Sequence, residues 1–200
     1  MRLVITGVAA LTLAAAVHAS PTPVDPHARV RPMVPRAERL LADGMAQSPT
    51  FRALVRRIEQ SDVIVYIDIR MDMRSGLGGS TRFLARSATD RFLRVQINGL
   101  HMLPVQVALL GHELQHVVEI AERGDVGSAD ALREFYRVSG VRTGPDSFDS
   151  LAARQTGYTV RNELLSYRRG SDLRLAHNGR PSRLMASSTM SAAMRPESAR

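Results

Sequence analysis

Residues 104–123 constrain the fold more than any other part of the chain. Pro104 suits the first turn of a helix and Gly124 ends the segment, so the pattern predicts a single helix of about five turns. Its apolar residues are distributed nearly all round the helix axis, which indicates burial on most sides. Other parts of the chain must therefore pack around this helix.

Two histidines and a glutamate interrupt this apolar segment, in the run Gly111-His112-Glu113-Leu114-Gln115-His116. Residues four apart lie on one helix face, so His112 and His116 can direct ring nitrogens at one ion. Glu113 lies about 100° further round, where its carboxylate reaches a water bound to that ion. The spacing predicts a zinc site with Glu113 as general base. The alternative is a pair of core histidines beside a solvated glutamate.

A catalytic zinc site of this type needs a third protein ligand. The chain has no cysteine, which restricts metal ligands to histidine and carboxylate, and the carboxylates Glu119, Asp149 and Glu163 compete for the third position. Glu119 shares the histidine stripe but lies about 10 Å along the axis from His112, which favours a role as acceptor for a ring N–H. Asp149 and Glu163 are expected on a later helix, about 21 Å apart, so only one of them can bind the ion.

Hydrophobic periodicity predicts helices and strands on both sides of the site helix. Helices are expected at residues 36–46, 50–60, 129–138 and 145–167, with Gly157 as a weak point in the last. Strands are expected at residues 63–69, 81–86 and 91–97, the last two forming a hairpin. The pattern predicts an α+β fold in which a small, mainly antiparallel sheet packs against the site helix and further C-terminal helices.

The chain ends predict export. Arg2, the apolar residues 3–17 and Val17-His18-Ala19 have the features of a cleaved signal peptide over residues 1–19. The apolar run is shorter than the ~20 residues of a membrane anchor, so no stable membrane insertion is expected after cleavage. The remaining chain is expected to form a proline-rich disordered leader at 20–35, one catalytic domain at 36–170 and a disordered tail at 171–200, in the periplasm or outside the cell.

The net charge of +8 derives from arginine alone, since the chain has no lysine. Codon composition explains this preference, although such a surface also suits anionic lipid or acidic cell-wall polymer. Aromatic residues make up 4% of the chain, tryptophan is absent, and the arginines are scattered in sequence. We therefore expect no nucleic-acid partner.

The motif His112-Glu113-Leu114-Gln115-His116, followed by a separate helix with a carboxylate, resembles the gluzincin group of zincin metallopeptidases, in which a second helix supplies a Glu ligand. The wider run over residues 111–121 is similar to small exported bacterial proteins of unassigned activity. Phe148-Asp149-Ser150-Leu151-Ala152-Ala153 stands where those proteins carry Glu-Thr-x-Ala-Ala, which implies Asp149 as third ligand. Asp149 is one methylene shorter than the Glu of those proteins. The metzincin pattern is not continued, because Glu119 and Ile120 stand where that pattern has a Gly and a later His.

The resemblance implies a zinc-dependent metallopeptidase with one zinc ion per chain. Its substrate would be a peptide or protein, cell-wall peptide included, lying along an edge strand that residues 91–97 are expected to provide. The oxyanion donor is expected among Tyr136, Tyr158, His101 and the arginines. The alternative is a non-catalytic exported protein that keeps this helix and docks through its basic surface.

Overall fold

The computed structural model describes residues 28–144 and 147–178, with residues 172–178 described as backbone alone. Its α+β fold confirms the predicted class. The elements are β1 (Val30–Pro32), α1 (Pro35–Gln47), α2 (Pro49–Glu59), β2 (Val63–Arg70), β3 (Gly79–Arg86), β4 (Arg91–Asn98), α3 (Leu103–Ala121), α4 (Ala129–Ser139), β5 (Val141–Gly144), β6 (Ser147–Asp149) and α5 (Leu151–Asn178).

The main sheet has four strands in the order β1-β2-β4-β3, and β5 and β6 form a separate hairpin. The expected hairpin of β3 and β4 is confirmed as an antiparallel pair. The sheet as a whole is mixed and not mainly antiparallel, since β1 pairs with β2 and β2 with β4 in parallel. The physical reason is the connectivity: helices α1 and α2 carry the chain from β1 back to the start of β2, and β4 inserts between β2 and β3.

The ordered fold starts before the predicted boundary at residue 36. Val30 in β1 is buried and lies opposite Val65 of β2, so part of the expected leader belongs to the sheet. At the other end, α5 extends to Asn178 into the expected tail. The signal peptide, the leader up to residue 27 and residues 179–200 lie outside the described residues. Among the described helices, none has the length and apolar content needed to cross a bilayer.

The hydrophobic core lies between one face of the sheet and the helices. The site helix α3 contributes buried side chains on several sides, as its apolar pattern predicts. Strands β2 and β4 contribute alternate residues to the same core, namely Val63, Val65, Ile67, Leu93, Val95 and Ile97. Burial of each such side chain contributes about 1.5–3 kcal/mol, so α3 is held firmly against the sheet.

A buried arginine fixes the C-terminal end of α3. Arg91, at the start of β4, donates from Nη1 to the carbonyl oxygens of Ile120 (2.8 Å) and Arg123 (2.6 Å). Its Nη2 donates to the carbonyl oxygen of Ala121 at 3.1 Å. Asp62 accepts from Nε (2.8 Å) and Nη2 (2.6 Å), and the hydrogen bond from Arg91 lowers the pKa of Asp62. These bonds place a guanidinium charge at the C-terminal end of the helix, where a cation is favourable, and add donors to the carbonyl groups there.

Candidate metal centre

The two histidines of α3 lie side by side, as their spacing predicts. The ring centroids of His112 and His116 are 5.0 Å apart and their planes are inclined at 77°. His116 is almost fully buried, whereas about a fifth of the His112 side chain is exposed. The pair therefore lies at the inner end of a site that opens to solvent on the His112 side.

Asp149 is brought between the two imidazoles. Its Oδ1 lies 3.3 Å from Nε2 of His112 and 3.4 Å from Nε2 of His116. Ligands at about 2.0–2.1 Å around a tetrahedral zinc ion are about 3.3 Å apart, so both distances fit donors to one ion. All three donor atoms lie within 4.8 Å of one another. The three donor atoms are thus close enough together to hold one divalent metal ion.

Asp149 reaches the histidines from a position that the periodicity did not predict. Residues 145–167 were expected to be one helix, but Asp149 is the last residue of β6 and α5 begins two residues later. The backbone pairing of Val141 with Asp149 overrides the local helical pattern. Because Asp149 precedes the helix, its carboxylate does not need to span a helix-to-helix distance, and the shorter side chain is sufficient.

The carboxylate of Asp149 is oriented by its neighbours. The backbone N–H of Ser150 donates to Oδ1 at 2.7 Å, and Nε of Arg154 donates to Oδ2 at 2.8 Å. Burial acts to raise the pKa of Asp149, but the contacts with His116 and Arg154 outweigh it and hold the pKa well below its usual range. Asp149 is therefore an ionised carboxylate in a fixed orientation at neutral pH.

His116 is held from behind by Glu119 and Tyr136. Its Nδ1 lies 3.0 Å from Oε2 of Glu119 and 2.8 Å from the hydroxyl of Tyr136. That hydroxyl donates to the same carboxylate oxygen at 2.8 Å, and the Ser150 hydroxyl donates to Oε1 at 2.5 Å. Glu119 thus has the position expected for an acceptor of a ring N–H, which leaves Nε2 free to face an ion.

The carboxylates of Asp149 and Glu119 favour a positive charge on or near His116. Burial acts to lower the pKa of His116, but Asp149 and Glu119 on its two sides raise it to about 9. Burial, and then the charge on His116, lower the pKa of His112. In the absence of a metal ion, this raised pKa favours a proton on His116, which offsets the charge of the carboxylates. A divalent cation bound between Asp149 and the histidines would replace that proton.

Glu113 is buried between α3 and the edge of the sheet, and only 5% of its surface is exposed. The hydroxyl of Thr81 in β3 donates to Oε2 at 2.7 Å. Burial raises the pKa of Glu113, since the charged form is poorly solvated there. This placement excludes the alternative of a solvated helix glutamate.

Glu163 lies outside the cluster. It accepts hydrogen bonds from the hydroxyl of Ser48 and from Thr50, through Oγ1 at 2.7 Å and the backbone N–H at 3.2 Å. These contacts satisfy the N-terminal end of α2, where an acidic group is favourable. The proximity of Glu163 to α2 explains a carboxylate on this part of α5 without a metal.

Two expectations about the surroundings of the site require correction. Strand β4 is central, and the edge strand beside α3 is β3, because the hairpin places β4 inside the sheet. The hydroxyl of Tyr136 is bonded to Nδ1 of His116 and to Glu119, so it is not directed at the metal side of the ring. Tyr158 is largely exposed on α5, and His101 is exposed in the turn before α3.

Several residues of the site were not predicted from sequence. Thr81 and Gly79 contact Glu113, Arg154 orients Asp149, and Ser150 bonds Glu119. One local signal existed: Ser150 caps the first turn of α5 by accepting from the N–H of Ala153 at 2.9 Å. The other contacts join distant parts of the chain and have no local pattern.

Glycines allow α5 to lie close to the histidines. A Cβ added to Gly157 would be 3.2 Å from Cβ of His112, and one added to Gly111 would be 2.9 Å from Cγ2 of Val160. Gly157 is therefore a point of close helix contact and not a break in α5. The absence of side chains at these two glycines permits the close approach of α3 and α5 beside the cluster.

Comparisons of the chain with protein-family models, with curated proteins and with solved structures give no match.

Proposed function

We propose that the protein is an exported zinc-dependent metallopeptidase, with the ion held by His112, His116 and Asp149. The observation that carries the proposal is the position of Asp149 Oδ1, 3.3 Å and 3.4 Å from the Nε2 atoms of His112 and His116. The buried Glu113 follows His112 directly on α3. Two imidazoles with one carboxylate suit zinc better than calcium or magnesium, which prefer oxygen ligands. The pattern of residues 1–19 supports the export part of the proposal.

Each residue of the proposed site has a separate role in peptide hydrolysis. His112, His116 and Asp149 would hold a zinc ion, which would supply Lewis acidity toward a substrate carbonyl and an attacking water. Glu113 accepts the proton of that water and returns it to the leaving amine. The raised pKa of Glu113 brings its basicity closer to neutral pH, where a general base is most effective. Glu119 and Tyr136 fix the ring of His116 throughout.

The edge strand supports a peptide as substrate. The outer edge of β3 has no partner strand in the described part of the chain, and its start lies against Glu113. An extended peptide adds to such an edge through backbone hydrogen bonds. A carbonyl of that peptide is then presented beside the base and the cluster, which suits endopeptidase activity on proteins or cell-wall peptides.

Substitution Glu113→Gln tests the proposal. The variant is expected to retain about one zinc per chain, since Glu113 is not a ligand, and to lose peptide hydrolysis by about 10²–10⁴-fold. Glu134→Gln on the exposed face of α4 is the matched control and should keep both zinc and activity. Metal analysis and a fluorogenic peptide library provide the two readouts.

Each result has a distinct meaning for this proposal. A purified protein that binds no zinc at neutral pH would overturn the metal site itself. A protein that binds zinc but hydrolyses no peptide would overturn the catalytic function and favour the exported binding protein. Equal activity in Glu113→Gln and wild type would exclude Glu113 as the general base.

A further inference from the structure

The main hydrophobic core takes its strand side chains from one face of the main sheet. Side chains alternate along each strand, and the core takes Val63, Val65 and Ile67 from β2 and the corresponding odd-numbered residues of β4. All of these residues lie on the face that is turned to α3. The even-numbered residues of the same strands, among them Tyr66 and Arg94, lie on the opposite face.

Three arginines, one from each of three strands, line up on this opposite face. The register places Arg31 of β1 opposite Tyr66, Tyr66 opposite Arg94, and Arg94 opposite Arg82 of β3. Because neighbouring strands are about 4.8 Å apart, this row crosses the whole sheet over about 14 Å. We refer to Arg31, Arg82 and Arg94 as the arginine row.

Two charges of the row, those of Arg82 and Arg94, repel one another. Arg82 and Arg94 are exposed and directly opposite one another, an arrangement that destabilises a sheet. In the described ranges 28–144 and 147–178, neither forms an ion pair with a carboxylate. The acidic residue on the same face, Asp68, accepts the N–H of Ile69 at 2.8 Å. An external anion would relieve this repulsion.

We propose that the arginine row binds the phosphate headgroups of an anionic lipid bilayer. Guanidinium groups bind phosphate oxygens through paired, charge-assisted hydrogen bonds. A row of cations on a sheet face, two of them exposed, can contact several headgroups of a bilayer at once. Each arginine at an anionic surface increases binding about fivefold, and the contributions multiply.

The aromatic residues of this face favour lipid over nucleic acid. Single-stranded nucleic acid is bound through aromatic rings on which bases stack. The ring of Tyr66 is already covered by the guanidinium of Arg31, 5.9 Å from its centroid. Phe92 is half-buried beside the buried Ile64 in the neighbouring register position. The face therefore offers cations without a free stacking platform.

The arginine row is independent of the proposed zinc site. Thr81 and Phe83 flank Arg82 in β3 and lie on the face turned to the helices, where Thr81 contacts Glu113. Arg82 consequently lies on the far side of the sheet from the metal cluster. A protein bound to a bilayer through this face would keep the metal cluster open to solvent, with or without an ion.

Vesicle sedimentation of the purified full chain tests the proposal. The protein is expected to bind vesicles of phosphatidylglycerol and phosphatidylcholine, and to bind less as salt is raised. The double variant Arg82→Gln/Arg94→Gln should bind these vesicles about 25-fold more weakly. The matched control Arg161→Gln/Arg168→Gln removes two exposed charges from α5 and should retain most of the binding.

Further measurements keep the test decisive. The control carries the same N-terminal segment and net charge as the double variant, so a difference between them isolates the row. The double variant should melt no lower than wild type, because it removes a like-charge pair, and should keep the wild-type zinc content. Equal losses in both variants, equal binding to pure phosphatidylcholine, or tighter binding to a single-stranded oligonucleotide than to vesicles would each overturn the proposal.

Discussion

Glu113 lies directly against Gly79, where a Cβ would come within 2.6 Å of its Oε1 and 2.8 Å of its Cγ. The absence of a side chain at this point of β3 is therefore a condition for the observed position of the proposed base. The contact also ties the edge strand to α3 at the site. It connects the strand proposed to bind a peptide with the residue proposed to move the proton.

Gly79→Ala should reduce peptide hydrolysis without removing the metal. The added methyl group displaces the Glu113 carboxylate by an appreciable fraction of an ångström, and such misplacement costs up to about a hundredfold in rate. Zinc content should not change, since no ligand is touched. Gly124→Ala, where an added Cβ meets nothing within 4 Å, is the control. Undiminished kcat/KM in Gly79→Ala would contradict the position assigned to Glu113.

Asp149→Ala should weaken zinc binding more than Glu119→Ala. Loss of a partner behind a ligand lowers metal affinity by about 10–100-fold, and loss of a ligand itself should exceed that range. Glu163→Ala should leave zinc affinity unchanged and lower the melting temperature, because Glu163 accepts hydrogen bonds at the start of α2. Competition with a chromogenic chelator measures all three affinities. A larger loss in Glu119→Ala would move the third ligand to Glu119.

Zinc binding should release about one proton per ion at pH 7. Asp149 is ionised and the pKa of His112 is lowered, whereas the raised pKa of His116, about 9, keeps a proton on that ring. The apparent affinity should therefore rise with pH, by about tenfold per unit, until the pH reaches this pKa.

Calorimetry in two buffers of different ionisation enthalpy measures this proton release. Glu119→Gln removes one of the carboxylates that raise the pKa of His116, so the variant should release fewer protons at pH 7. Zinc binding with no proton release in the wild type would show that His116 is not protonated in the metal-free protein.

Arg91→Met should destabilise the fold by about 3–5 kcal/mol, because it removes the buried hydrogen bonds from Arg91 to carbonyl groups at the end of α3 and breaks the ion pair with Asp62. Arg91→Lys should recover part of this loss, since an ammonium group replaces only some of the bonds. Arg94→Met, on the exposed face of the same strand, should change stability by less than about 0.5 kcal/mol. Urea unfolding of the three variants is the measurement; equal free energies of unfolding would contradict the capping role.

Much of the helical structure was predictable from sequence, because helix periodicity is local. Helices α1 to α4 have bounds within a few residues of those expected, and His112 and His116 share a face of α3 as their spacing requires. The strands of the hairpin were also found. The pairing of β1 with β2 was not predicted. It brings Val30 opposite Val65, although two helices separate these residues in sequence.

The site shows the same division between local and distant determinants. The resemblance implied Asp149 as a ligand, but its approach from the end of β6 depends on the pairing of β5 with β6. Glu163, an equally acceptable carboxylate in sequence, is occupied by Ser48 and Thr50. The scattered arginines become a row only through strand register.

By itself, the sequence determined the site helix, its two facing histidines and the adjacent glutamate, because residues four apart in a helix are neighbours whatever surrounds them. Tertiary structure decided which carboxylate lies beside His112 and His116, which strand forms the edge beside Glu113, and which arginines are neighbours in the sheet. These relationships depend on contacts between residues far apart in the chain, and no local pattern encodes such contacts.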